Sequence, residues 1–283
     1  MINKPSKISM VLIYIILTAI SICMIYPFIW MIISSFRPSS EILTAPFKIN
    51  FSSFTMEAYE KISLLGGLSI WKYVLNSLII TVLATLIIII ITSLGAYALY
   101  RNPSLPGFRV IESSFLLTIM YPAVLLLIPL YIIAFKLHLL GTYKGIILIL
   151  AGGAWGGALP FFLFRQFFGK ISKEIIEAAE IDGASELRIL SKIIVPLAMP
   201  VYATATLITF MLTWGLWLPV LVISNDTKTY TLATALVNLN SELGIDFQST
   251  MALSTLVTVP IVIIFLLTQK RVMEGISAGS VKG

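Results

Sequence analysis

With 283 residues, 58% of them hydrophobic and only 11% charged, and a mean hydropathy of +1.00, this chain is not a soluble globular protein; soluble chains are about a quarter charged. The net charge of +6 is strung along short segments beside apolar runs, which argues for the positive-inside bias of a membrane protein rather than for nucleic-acid binding. The single Cys23 lies within an apolar run and excludes a disulfide framework or a cysteine-rich metal site.

Short charged segments between long apolar runs predict an all-α, polytopic membrane protein forming one transmembrane domain over residues 1–283. Lys4 and Lys7 precede a first apolar run at about 8–34, too long for a signal-peptide core and read as a retained span. Residues 35–72 form the longest polar segment, with Arg37, Glu41, Lys48, Glu57, Glu60 and Lys61, broken by Pro38 and Pro46. A second span is predicted at about 73–99, followed by a short loop holding Arg101 and Arg109. The third, at about 111–135, contains Pro122 and Pro129, which are expected to kink it. Lys136 and His138 sit in the next loop, where the isolated histidine is expected to be solvated. The fourth, at about 145–164, carries Gly152, Gly153, Gly156 and Gly157, a small-residue spacing that suits close helix packing.

Residues 171–196 then make the polar interruption around which the second half is arranged. Ser172 is a candidate N-cap and Glu174 falls in the first turn, where a carboxylate suits the helix dipole. Ile171, Ile175, Ala178, Ala179 and Asp182 recur at helical spacing, with Ile176 and Glu180 offset from them. Gly183 falls where a helix ends in a left-handed residue. Ser185 can cap a second short helix with Leu187, Leu190 and Ile194 as its apolar stripe, and Pro196 stops that helix or begins the next. A fifth span follows at about 197–223, a polar loop with Asp226, Glu242 and Asp246, and a sixth span at about 250–269.

The 171–196 stretch resembles the cytoplasmic EAA loop of binding-protein-dependent ABC importer permeases. Glu177-Ala178-Ala179 is followed after three residues by Gly183, and after nine more by Ile193-Ile194-Val195-Pro196, with Val195 where the family commonly has Leu. Asn76-Ser77, Ala96-Tyr97-Ala98 and the ending from Gly275 to Gly283 extend the likeness over most of the chain, towards the carbohydrate, maltose-type branch. The ending has Ser280 where Ala is commoner. The resemblance implies a type I importer permease fold with six spans. It makes residues 172–183 the coupling helix that docks on the ATPase, with Glu177 as a polar contact, Ala178 and Ala179 for close packing, and Asp182 and Gly183 at the turn. It also implies an extracytoplasmic segment after the first span that meets a solute-binding protein.

Orientation follows from charge. With the N-terminus inside, inner segments hold 12 of the 19 basic residues, Arg165, Lys170, Lys173, Arg188 and Lys192 among them, and outer segments 7. Both termini and the 171–196 loop are therefore expected in the cytoplasm of a bacterial or archaeal cell, and the protein in its cytoplasmic membrane.

The six apolar cores contain no Asp, Glu, Lys, Arg or His; Glu112, at the mouth of the third, is expected to be solvated. That argues against ion-coupled transport and against an intramembrane hydrolase. No phosphate-binding loop occurs, since Gly169-Lys170 is followed by Ile171 and Phe164 stands where the motif begins with Gly. Energy for transport is thus expected from another chain. No catalytic residue, metal site or cofactor is predicted.

A neutral polar solute is bound by hydrogen bonds and stacking. Phe210, Thr213, Trp214 and Trp217 in the fifth span are candidates for its path, with the three aromatics at helical spacing. Lipid-facing or interfacial anchoring is the commoner explanation of such residues, Trp217 above all. The expected function is that of a permease subunit importing an oligosaccharide or related carbohydrate by alternating access. It would pair with a homologous permease, an ATPase dimer and an extracytoplasmic binding protein, in a lipid bilayer and without nucleic acid. The alternative is a channel or facilitator for a small polar solute that works without ATP.

Overall fold

The computed structural model describes residues 6–104, 106–152, 155–243 and 246–280; Lys4, Gly153 and the last three residues of the Gly275–Gly283 ending lie outside them. Helices follow one another as α1 (Lys7–Ser34), α2 (Ser39–Thr44), α3 (Glu57–Ser63), α4 (Ile70–Arg101), α5 (Phe108–Met120), α6 (Leu127–Lys136), α7 (Tyr143–Ala151) and α8 (Ala158–Phe168). Then come α9 (Lys173–Ile181), α10 (Glu186–Ile189), α11 (Val195–Leu197), α12 (Met199–Gly215), α13 (Leu218–Ile223), α14 (Leu232–Leu243) and α15 (Phe247–Ser280). The chain divides into two compact units, Met1–Gly67 with Asn238–Thr258, and Leu68–Val237 with Val259–Gly283.

The first unit is led by α1, apolar on every side and exposed within this chain except in its last turn, where Ser34 is buried. After it the backbone is pinned by Arg37, whose buried guanidinium donates to the carbonyls of Glu41 (3.2 Å), Ala45 (2.7 Å) and Pro46 (3.0 Å). Asp246 caps α15, accepting from Gln248 N (3.1 Å), Ser249 Oγ (2.7 Å) and Ser39 Oγ (2.7 Å). Burial pushes its carboxyl up, but the hydrogen bonds from Ser39 and Ser249 and the charge of Lys61 outweigh burial and leave it below the usual aspartate value.

The second unit is built around α4, which packs against α7, α8 and α12. Its buried face carries Ser77, Thr81, Ala84, Thr85, Thr92, Ser93 and Ala96, small enough for neighbouring backbones to come close. Thr92 and Ser93 return their hydroxyls to the carbonyls of Ile88 (2.6 Å) and Ile90 (3.2 Å), whereas the buried Thr85 hydroxyl has no partner among the described residues. At the first turns of α4, Asn76 donates to the carbonyls of Lys228 (2.9 Å) and Tyr230 (2.8 Å) and accepts from Tyr143. Ser77 Oγ accepts from Leu232 N at 2.7 Å. The Asn76-Ser77 pair thus ties the 228–232 segment to α4.

Among the described residues, α1, α4 and α15 are long and apolar enough to cross a membrane alone, and the pair 186–197 and 199–215, bent by 78°, passes the same test of length and composition only when taken together. The other predicted spans are interrupted. The run at 111–135 breaks at Pro122, where the backbone turns extended before a 3-10 turn; Pro129 falls in the first turn of α6, where no N–H is needed. The run at 145–164 breaks between α7 and α8, so Gly152, Gly156 and Gly157 lie in a linker rather than in a packing helix. A Cβ on Gly156 would meet only the Ile88 side chain, at 3.9 Å. The run at 197–223 ends its first helix at Gly215 and restarts at Leu218. His138 is exposed, but it has a turn role: at φ 54° it is the left-handed residue that ends α6, with Leu139 N bonded to Ala134 O at 2.8 Å.

Candidate functional site

The 171–196 loop folds as two short helices around a turn. Ser172 Oγ accepts from Glu174 N at 3.3 Å and opens α9. At the other end Ala184 N reaches Ala179 O (2.9 Å) and Gly183 N reaches Glu180 O (3.0 Å), while Gly183 takes φ 76°. These two bonds and the left-handed residue form a Schellman motif, in which the unpaired carbonyls of the last helical turn are satisfied. Asp182 is the C-cap of the same helix.

The face that α9 buries differs from the expected stripe. Ile176 and Ala179 are buried, whereas Ile175, Ala178 and Asp182 are exposed. The reason is tertiary: Ile176 and Ala179 join a cluster with Phe164, Phe168, Ala96, Tyr97, Ile189 and Ile194 at the C-terminal end of α4. Apolar side chains are left outside, with Ile181 86% and Leu187 77% exposed, and Glu177 and Ala178 are exposed as well. Leu187 is therefore not part of an inner stripe, in which Ile189 of α10 and Ile194 of the turn after it are the buried residues. Ser185 stands at the N-cap of α10, but its side chain makes no capping bond. Pro196 does not stop the helix; it lies in the first turn of α11. The backbone runs through a π-turn over Leu190–Ile194, Val195 N bonds to Leu190 O, and the bend of 78° comes at Ala198.

Sequence reasoning placed Arg101 in a loop. The structure puts it at the last residue of α4, inside this site. Its guanidinium binds Glu186 with Nε to Oε1 (2.7 Å) and Nη2 to Oε2 (3.1 Å), and Nη2 also meets Glu180 Oε1. Tyr97 OH donates to Glu186 Oε1 (3.0 Å), and Tyr100 OH donates to the Ile171 carbonyl (3.0 Å). The hydrogen bonds from Arg101 hold the Glu186 carboxyl below the usual glutamate range against partial desolvation, with help from Tyr97. One cation thus bridges the last turn of α9 and the first turn of α10. The nearest sequence signal was Ala96-Tyr97-Ala98, which carried part of the resemblance but did not point to this contact. Glu112, expected in solvent, is half-buried and paired with Arg165 Nε at 3.3 Å.

The fifth-span candidates separate. Phe210, Thr213 and Trp214 are buried within this chain, and Phe210 stacks on Trp214 with centroids 5.5 Å apart at 20°. Trp217 is not on their helix, because α12 has ended and Leu216 is extended; its carbonyl accepts from Thr234 Oγ1 at 3.3 Å. Phe210 lines a groove of about 500 Å³ between α4, α12 and the second half of α15, together with Thr85, Tyr202, Thr206 and Thr268.

Residues 91–277 match the family described as binding-protein-dependent transport system inner membrane component. The chain is 33% identical over 264 residues to the trehalose/maltose transport system permease protein MalG of Thermococcus litoralis, covering 93% of each. It is 31% identical to the arabinooligosaccharides transport system permease protein AraQ of Halalkalibacterium halodurans, covering 92% of this chain and 91% of that one. In fold it is similar to a chain of a bacterial ABC transporter involved in the import of the acidic polysaccharide alginate, with a TM-score of 0.78, 24% identity, and coverage of 95% and 99%. The matched stretch contains the whole clamped loop together with Arg101. This chain therefore belongs to the inner-membrane components of binding-protein-dependent transport systems, multi-pass permease subunits of ABC importers that leave ATP hydrolysis to a separate chain.

Proposed function

We propose that this chain is one of a pair of homologous permeases in an importer for an oligosaccharide or related carbohydrate, working by alternating access in a bacterial or archaeal cytoplasmic membrane. Its single domain crosses six times, with both termini and the 171–196 loop in the cytoplasm, an ATPase dimer below and a binding protein outside. The observation that carries this reading is α9: a short helix with one face sunk in the chain's own cluster and Arg101 bracing its far end. Its outer face presents Glu177, Ala178 and Ile181, with Asp182 and Gly183 closing the turn. In this role Glu177 supplies a polar contact to the ATPase and Ala178 a close approach, while Ala179 acts from the inside by seating the helix. The carbohydrate assignment draws on what the two relatives are named for. For the solute path, Phe210 fronts the groove beside Tyr202 and Thr206, with Trp214 and Thr213 as its backing and Trp217 at the helix break.

The test is co-purification with an ATPase subunit and uptake of labelled oligosaccharide into vesicles. Uptake is expected only with internal ATP and loaded binding protein. Uptake without ATP would instead favour the facilitator. For topology, a thiol at Lys173→Cys is expected to be shielded from an impermeant reagent in intact cells, and one at Asn50→Cys to be labelled.

A further inference from the structure

The turn after α2 carries an aromatic residue where a soluble turn would carry a polar one. Lys48 N bonds to Ala45 O at 3.1 Å, so Pro46 and Phe47 are the two central residues of a β-turn. Proline suits the first of these positions, but the second commonly holds Asp, Asn, Ser or Gly. Here it is Phe47, 80% exposed, with Leu43 and Phe51 also exposed to either side. The turn is fixed rather than loose. The Pro46 carbonyl accepts from Trp30 Nε1 (3.0 Å) and Arg37 Nη1 (3.0 Å), and the Ala45 carbonyl from Arg37 Nη2 (2.7 Å).

The bond to Trp30 sets the depth of the turn. Trp30 follows Lys7 by 23 residues along α1, a rise of about 35 Å at 1.5 Å per residue. The hydrocarbon core is about 30 Å thick. With Lys7 at one surface, Trp30 lies at the opposite hydrocarbon boundary, the level where tryptophan belts sit. Phe47 directly follows the carbonyl that Trp30 holds, so it lies at that level too. At that end of α1, Phe28, Ile29 and Ile32 are apolar and exposed, and Lys48 next to Phe47 is exposed too, long enough to carry its charge out to a polar layer.

We infer that residues 43–51 form a membrane-interface anchor, with Phe47 inserted at the boundary of headgroups and acyl chains of the leaflet at the C-terminal end of α1 and Lys48 facing phosphate. This segment then holds the end of α1 against the lipid rather than reaching out to the binding protein. The inference needs α1 to span; the proposed orientation decides only which leaflet is meant.

A nitroxide on Phe47→Cys in a Cys23→Ser background tests it, in the full transporter in phosphatidylglycerol and phosphatidylethanolamine bilayers. Collision with oxygen relative to a water-soluble nickel chelate is expected to be severalfold higher than at Glu60→Cys on the charged helix α3, and unchanged by loaded binding protein. Leu43→Cys provides a second reporter. A ratio equal to that at position 60 overturns the anchor. So does exclusion of both reagents, which would mean burial against the partner permease, or a change on adding binding protein. Accessibility at Lys173→Cys in the same preparation reports the orientation separately.

Discussion

Arg101 and Glu186 form a two-pronged ion pair, Nε to Oε1 at 2.7 Å and Nη2 to Oε2 at 3.1 Å, across 85 residues of sequence. The same guanidinium meets Glu180, so the last residue of α4 fixes both sides of the turn at Gly183. The loop is thereby linked to α4, the helix on which the second unit is built. A push on α9 reaches α4 through this contact and through the buried pair Ile176 and Ala179.

Arg101→Ala is expected to loosen the loop without removing the protein from the membrane. The pair is partly exposed and is worth about 1 kcal/mol or less, small beside the packing of the unit but enough to free a two-turn helix. A spin label at Lys173→Cys should become more mobile, and ATPase stimulation by loaded binding protein should fall. Glu186→Ala should do the same, and unchanged mobility in both would remove the clamp from the mechanism.

The pH dependence of this contact has a definite sign. Glu186 is held below its ordinary value mainly by Arg101, so its contribution is fully present above the unfolded glutamate value near ~4.3 and is lost as pH falls through the lowered one. Mobility at position 173 is expected to stay level from about pH 8 to pH 5 and to rise only below about pH 4. Glu186→Gln should abolish that acid-side rise.

Gly183→Val is expected to uncouple hydrolysis from uptake. A Cβ there would touch nothing within 4 Å, so the whole cost is conformational, at φ 76°. That costs a non-glycine residue roughly 1–2 kcal/mol, and β-branching adds to it. The Schellman bonds would weaken and α9 would extend or tilt. Gly183→Asn, which tolerates this region, should keep more binding-protein-stimulated ATPase and uptake than Val. Equal, near-normal coupling in both would mean that the turn is no pivot.

Gly145→Ala is expected to fail for the opposite reason. Its Cβ would lie 2.2 Å from the Leu139 carbonyl oxygen, a backbone atom that cannot rotate away. The 139–145 turn, which also bonds Gly141 N to Ile223 O at 2.8 Å, would have to shift, at roughly 1–3 kcal/mol. Gly95→Ala is the control, since its Cβ would meet Phe161 at an ordinary 3.8 Å. The melting temperature of the purified protein should drop for the first and hold or rise for the second.

The sequence alone determined the membrane class, the apolar regions, the capped helix after Ser172 and the left-handed turn at Gly183. These depend on local properties: hydrophobic length, the side chain that satisfies a free N–H, and the one residue without a Cβ. It could not say which face of α9 is buried, because Ile175, Ile176, Ala178 and Ala179 are all small or apolar and the choice belongs to Phe164 and Phe168 beneath them. Nor could it pair Arg101 with Glu186, since one charge among several in short loops carries no address until α4 and α10 are brought together. Pro122 announced the interruption of the third run, but the breaks in the fourth and fifth were hidden for a related reason. Hydropathy averages over a window, whereas a break at Leu216 is the conformation of a single residue, and neighbouring helices decide whether an apolar run stays straight. Tertiary packing also decided the buried roles of Phe210 and Trp214, by stacking each on the other inside the chain.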